Sequence, residues 1–275
     1  MAAVRVGDLD LYYELIDCTE PWRSGAPPAV LIHGLGTDRR LWLYQVPAFC
    51  PRVPTLLVDL RGHGRSSAPP GEWTVADMAR DVVRLLRVLG VEKAHLVGLS
   101  LGGMVAQQFA LDSPYATASL VLADTMAGPR RGEEPRLREA AAFIAANSMR
   151  DIAESRVTAA FSDAVDPGMR RHFIEQVALN DKASYERAAR AVFSFNVRER
   201  LAEIAAPTLV VIGDADRTFP LPWMEDVAAG IRGARTVRLA GAGHAAEAEL
   251  RCQAAQHRAR VHSGLTRRGT RGRRG

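Results

Sequence analysis

Residues 94–102 read Ala94-His95-Leu96-Val97-Gly98-Leu99-Ser100-Leu101-Gly102, an apolar run that ends in a G-x-S-x-G pattern. Ala94–Leu99 has the length and composition of a strand buried on both faces, and Gly103–Ala110 continues with helical character. A serine at such a tight strand-to-helix turn is lifted above the sheet edge, the arrangement called a nucleophile elbow. Glycine is needed at 98 and 102 because a Cβ at either place would collide with the neighbouring strand or helix. The amino terminus of the following helix adds partial positive charge beside the serine. The bare pattern is common in glycine-rich chains; the strand before it and the helix after it are what make it informative.

Outward from this turn, short apolar runs alternate with longer helical patterns, as in a doubly wound α/β sheet. Val4–Val6 and Leu9–Leu15 flank Gly7-Asp8 and predict an antiparallel hairpin. Ala29–His33, Thr55–Asp59, Ser119–Ala123, Thr208–Gly213 and Thr236–Leu239 predict the remaining strands. Val75, Met78, Ala79, Val82, Leu86 and Leu89 recur at three- and four-residue spacing and predict an amphipathic helix. Thr74 and Asp77 are placed to cap its start, and Gly90 to stop it. From Gly128 to Arg200 the alternation lapses into helical patterns alone (Leu137–Ala146, Ile152–Phe161, Met169–Leu179, Tyr185–Phe193). That layout predicts a core over 1–127 and 201–250 with a helical lid over 128–200.

The composition, 47% hydrophobic and 24% charged over 275 residues, is that of a globular protein and excludes collagen-like and wholly disordered classes. No run approaches the roughly 18 apolar residues of a membrane-spanning helix. The first residues lack the charged-then-apolar layout of a signal peptide. Cys18, Cys50 and Cys252 are odd in number, distant in sequence and outside metal-ligand spacing, so reduced thiols in a cytoplasmic protein are expected. The formal charge is +5, but residues 251–275 hold eight arginines and no acid, which leaves the body at −3. Nothing in that body suggests a nucleic-acid partner.

A serine at neutral pH is a poor nucleophile, so a base must take its proton and an acid must orient the base. His244, in Gly241-Ala242-Gly243-His244, follows the last predicted strand. Asp216, in Gly213-Asp214-Ala215-Asp216, follows the strand before it. Both loops lie where open α/β sheets place their ligands. Asp214 and Asp124 are the competing acids. Leu101 N–H, just after the serine, and Leu35 N–H, in the His33-Gly34-Leu35-Gly36 loop, are the expected oxyanion donors. His33 is expected to shape that loop by hydrogen bonding. His63, His95 and His172 read as structural, and Trp73, Trp223, Phe193 and Phe195 as core residues with a pocket-lining role as the alternative.

Together these stretches resemble the α/β-hydrolase superfamily over roughly residues 1–250. The matching pieces are Leu31-Ile32-His33-Gly34, Asp59-Leu60-Arg61-Gly62-His63-Gly64-Arg65-Ser66, the turn at Ser100, the Gly213…Asp216…Pro220 loop and Gly243-His244. In wording the chain is similar to 3-oxoadipate enol-lactonases, through His33-Gly34-Leu35-Gly36-Thr37-Asp38 with Trp42, Gly98–Gly103, and Leu122-Ala123-Asp124-Thr125. The resemblance implies an α/β fold with a mostly parallel eight-stranded sheet, helices on both faces and a lid. It favours Asp216 over its rivals through the spacing to Gly213 and Pro220. It implies a cofactor-independent, metal-free serine hydrolase with catalytic Ser100, Asp216 and His244, acting on a small-molecule ester or lactone. A C–C bond hydrolase or a perhydrolase on the same triad is the alternative, and a non-catalytic small-molecule binder a remoter one.

The chain departs from that family after Leu250. Where a last helix with an apolar face is expected, Arg251-Cys252-Gln253 leads into an Arg/Gly/Thr-rich end with little to pack, predicted to be disordered. A reading-frame change near residue 250 that replaces the terminal helix is the preferred explanation. A naturally degenerate tail and a basic arm for an anionic partner are the others.

Overall fold

The Gly7-Asp8 turn reverses the chain between β1 (Ala2–Val6) and β2 (Leu9–Ile16), pairing Val6 with Leu9 and Ala2 with Tyr13. The computed structural model describes residues 2–245; the expectations for Cys252, the terminal helix and the 251–275 tail lie outside them. Six further strands follow, β3 (Ala29–Ile32), β4 (Thr55–Val58), β5 (Ala94–Leu99), β6 (Thr117–Ala123), β7 (Thr208–Gly213) and β8 (Arg235–Leu239). They form an eight-stranded sheet in the order β1-β2-β4-β3-β5-β6-β7-β8. β2 runs antiparallel to both neighbours and every other pairing is parallel, the mostly parallel sheet that the apolar runs implied.

Strand order decides where a site can form. The chain lays β4 on one side of β3 and β5 on the other. The loops leaving β3 and β5 therefore diverge and open a crevice at their carboxyl ends. Ser100 follows β5 directly, and His33-Gly34 follows β3.

Alternate residues of the central strands face opposite layers, as a two-residue period requires. Val30, Ile32, Leu96, Leu120, Val210 and Ile212 pack against α2 (Val75–Val88), α3 (Leu101–Asp112) and α8 (Leu221–Gly230). Ala29, Leu31, Leu57, Val97 and Leu99 face the other layer, which includes α1 (Val46–Phe49). The capping box predicted at Thr74 and Asp77 is present. Past Gly90 the chain closes α2 with Val91 N–H on Leu86 C=O and Gly90 N–H on Arg87 C=O, a Schellman ending. Trp73 and Trp223 are fully packed core residues. The two edge strands are the exceptions, with Ala2, Ala3 and Arg5 of β1 and Arg235 to Arg238 of β8 exposed.

Between β6 and β7 the chain inserts α4 (Glu134–Ala146), α5 (Met149–Ala160), α6 (Pro167–Ala178) and α7 (Lys182–Ser194). Each overlaps one of the four helical patterns read from sequence. No helix among the described residues is long and apolar enough to cross a membrane. Cys18 and Cys50 are free thiols, which the fold brings within hydrogen-bonding reach of each other.

The loops after β3 and β4 are built around two buried histidines, His33 and His63, with ring centroids 5.1 Å apart. His33 Nε2 accepts Leu60 N–H at 3.0 Å, and Nδ1 donates to Gly34 C=O at 2.8 Å, which is the loop-shaping role expected of it. His63 Nδ1 donates to Arg61 C=O at 3.0 Å, while its Nε2 is buried with no hydrogen-bond partner. Burial, and then the neighbouring His33, push the His63 pKa from 6.5 down to about 3. The unfolded chain therefore binds this proton first. The stability due to neutral His63 is complete above about 6.5 and is lost as pH falls toward about 3. The stability gap between wild type and His63→Asn, from urea titrations at stepped pH, is expected to change by up to about 1.4 kcal/mol per unit below pH ~6.5. A gap constant from pH 7 to 4.5 overturns this.

Candidate active site

Ser100 stands between β5 and α3 with φ 54° and ψ −115°, a conformation that L-residues rarely adopt. Neighbours on both sides hold it there. Its N–H donates to Ala123 C=O at 2.9 Å, and its C=O accepts Met104 N–H at 3.1 Å and the Thr125 hydroxyl at 2.7 Å. The turn leaves no room for side chains around it. A Cβ at Gly98 would run into the Gly102 backbone, and one at Gly102 into the Ile32 and His33 carbonyls. These are the helix and strand collisions expected from sequence. Gly103 is equally confined against Thr125, which sequence reading missed.

The two proposed oxyanion donors share a backbone logic. Gly34 C=O accepts from the Thr37 hydroxyl at 2.9 Å, His33 Nδ1 at 2.8 Å and Thr37 N–H at 3.3 Å. Because a trans peptide points its N–H opposite its C=O, Leu35 N–H is turned to the other side. The bonds on Ser100 C=O do the same for Leu101 N–H, the first of the α3 amides that have no intrahelical acceptor.

His244 Nδ1 lies 2.7 Å from Asp216 Oδ2, with the Asp216 side chain 0% and the His244 side chain 9% exposed. The other Asp216 oxygen accepts Thr218 N–H at 2.6 Å and Phe219 N–H at 3.2 Å, so the carboxylate is held at both ends. The Phe219 ring meets the imidazole edge to face, with centroids 5.2 Å apart. The rival acids are engaged elsewhere. Asp124, with φ 42°, accepts Gly213 N–H at 2.7 Å, and Asp214 accepts Gly241 N–H at 2.6 Å.

Ser100 and His244 line one cleft of about 550 Å³, counting its open mouth. Its other walls are mainly apolar, with Leu35, Leu99, Val157, Phe161, Phe173 and Val177 among them. The aromatic wall thus comes from Phe161 and Phe173, while Trp73, Trp223, Phe193 and Phe195 do not line it. Arg156 of α5 also lines the cleft, and sequence reading passed over it. The signal was present: Arg156 shares a helical face with Ile152, Ala153, Val157 and Ala160, where a charge interrupts an apolar stripe. His95 is engaged with the Ser119 hydroxyl and His172 meets Phe173 edge to face, and neither histidine lines the cleft. Among the described residues no cluster of three or more His, Cys, Asp or Glu could hold a metal ion.

A family model described as the alpha/beta hydrolase family matches residues 29–252. The chain is 32% identical to 3-oxoadipate enol-lactonase 1 of Acinetobacter baylyi, over 70% of this chain and 73% of the relative. Among solved structures it is similar to a hydrolase from Pseudomonas aeruginosa, with 32% identity, TM-score 0.81, and 90% of this chain and 92% of that one covered. The enol-lactonase from Burkholderia xenovorans is 27% identical, with TM-score 0.80 and coverage of 96% and 99%.

The geometry separates the three acids by experiment. Asp216→Asn is expected to lower turnover roughly a thousand- to ten-thousand-fold, because the imidazole loses its orienting acceptor. Asp124→Asn keeps an oxygen for Gly213 N–H and is expected to cost less than about tenfold. Steady-state kinetics of both variants on an activated ester decides, and equal losses or the reverse order overturn the assignment.

Proposed function

The chain belongs to the alpha/beta hydrolase family, and from that premise we propose that it cleaves a carboxylic ester or lactone through an acyl-enzyme on Ser100. The observation that carries the reading is the 2.7 Å contact between His244 Nδ1 and the buried Asp216 carboxylate, beside a serine lining the same cleft. Asp216 holds the proton on Nδ1 and leaves Nε2 as the base. Ser100 Oγ attacks the carbonyl carbon while Nε2 takes the hydroxyl proton. The oxyanion so formed is bound by Leu35 and Leu101 N–H, each such donor being worth about 3–4 kcal/mol in related sites.

Collapse breaks the bond to the leaving oxygen, which receives the proton from His244. In a lactone that oxygen stays tethered to the acyl part. Water then attacks the acyl carbon, His244 takes its proton, and breaking the bond to Oγ returns the proton to Ser100. No cofactor or metal is needed for these steps. On this reading residues 128–200 act as a lid, since α5 and α6 supply apolar walls that keep bulk water from the acyl group. The enol-lactonase relatives make lactones the first substrates to try.

A fluorophosphonate probe tests the mechanism without knowledge of the substrate. The expected result is a single adduct on Ser100, located by mass spectrometry. It is absent in Ser100→Ala and forms at least about a hundredfold more slowly in His244→Ala. A folded wild-type protein that forms no adduct overturns the proposal.

A further inference from the structure

The antiparallel pairing of β2 with β4 carries on past the ends of the strands. Ile16 stands opposite Thr55, and beyond it Glu20 N–H donates to Pro51 C=O at 3.1 Å in the same register. Cys18 lies midway between these two contacts. Cys50, at the carboxyl end of α1, directly precedes Pro51. The Asp17 carboxylate accepts Thr19 N–H at 2.9 Å and so fixes the backbone on either side of Cys18. Held in this way, the two thiols come within hydrogen-bonding reach of each other. They differ in access. Cys18 is exposed, while Cys50 is 8% exposed and belongs to the same apolar cluster as Leu41, Trp42 and Val46.

A disulfide needs the sulfurs to close from that range to about 2.05 Å, a shift that an exposed side chain on a loop can supply. We propose that Cys18 and Cys50 are an oxidisable pair, which a small-molecule disulfide such as oxidised glutathione converts to an intramolecular disulfide. Access sets the order of the steps. Cys18 gives its proton to solvent, and its thiolate attacks one sulfur of the small disulfide. That S–S bond breaks and one thiolate leaves. Cys50 then loses its proton and attacks the Cys18 sulfur, which closes the protein disulfide and expels the second thiolate. The pair gives up two electrons, the small disulfide takes them, and the two protons end on the two released thiols.

The bond would close a loop over residues 18–50. That span carries β3, the loop of Leu35, and Leu41, which lines the cleft. Cross-linking its ends restricts the unfolded chain and stabilises the folded one. This inference does not depend on the reaction proposed for Ser100.

The test uses the Cys252→Ser protein, which keeps both thiols of the pair. It is equilibrated with mixtures of reduced and oxidised glutathione, natively and in concentrated urea, then acid-quenched, alkylated, digested and mapped by mass spectrometry. The expected product is a peptide linked through Cys18 and Cys50. It should form about 30- to 700-fold more favourably in the native protein than in urea, the usual stabilisation by a cross-link read as a ratio. A further Cys50→Ala substitution is expected to stop the reaction with glutathione on Cys18. No linked peptide from the native protein, a glutathione adduct that persists on Cys18 beside free Cys50, or equal formation in urea overturns the proposal. The comparison of native with urea decides even where Cys50→Ala fails to fold.

Discussion

Ser100 occupies a backbone conformation worth on the order of 1–3 kcal/mol of strain, and the site is built around keeping it there. The strain persists because the surroundings over-determine it. β6 takes the serine N–H, Thr125 and α3 take its C=O, and two glycines remove the atoms that would push the turn open. Gly102 brings α3 against the backbone of β3 at the point where the chain leaves for the His33 loop. The closeness that lets the serine turn therefore also sets the distance between the elbow and the loop carrying Leu35. The proposed nucleophile and oxyanion donors are linked through one backbone contact.

The inserted helices grip that arrangement at three places. The carboxyl end of α5 has carbonyls that no helical amide can reach. His244 N–H donates to Ala160 C=O at 2.6 Å, and Arg217 donates to Phe161 C=O at 2.8 Å and Thr158 C=O at 3.0 Å. Asn180 donates to Gly36 C=O at 2.8 Å in the loop after β3. The histidine loop, the acid loop and the Leu35 loop each take a hydrogen bond from or give one to the insertion. These helices act as a brace for the loops as well as a roof over the cleft.

Much of the fold was legible because its signals are local. Ala94–Leu99 and Thr208–Gly213 coincide with their apolar runs to the residue, and Thr74 with Asp77 marks the start of α2. Glycine spacing was enough to anticipate the collisions at 98 and 102. The competition among acids was less legible. Asp124, Asp214 and Asp216 all sit just past strands, and only the fold reveals that Asp216 meets His244 while Asp124 accepts Gly213 N–H and Asp214 accepts Gly241 N–H. α8 was missed because Leu221-Pro222-Trp223-Met224 is apolar on all sides, so no amphipathic stripe announces it. Phe161 and Phe173 could not be told from core residues, since a cleft wall and a core share the same chemistry.

Arg156 shows how one charge changes what such a cleft can do. In an apolar enclosure the field of a cation is less screened than in water, so it acts on more than the group it touches. Held by Tyr185 on the roof, it leaves Asp216 and His244 to their own short contact on the floor. That separation is useful chemically. A guanidinium beside Asp216 would compete with His244 for the carboxylate and weaken the hold on the Nδ1 proton. The brace formed by α5 thus positions His244 through Ala160 and holds the Arg156 cation beside the cleft. Displacing this one helix would disturb both.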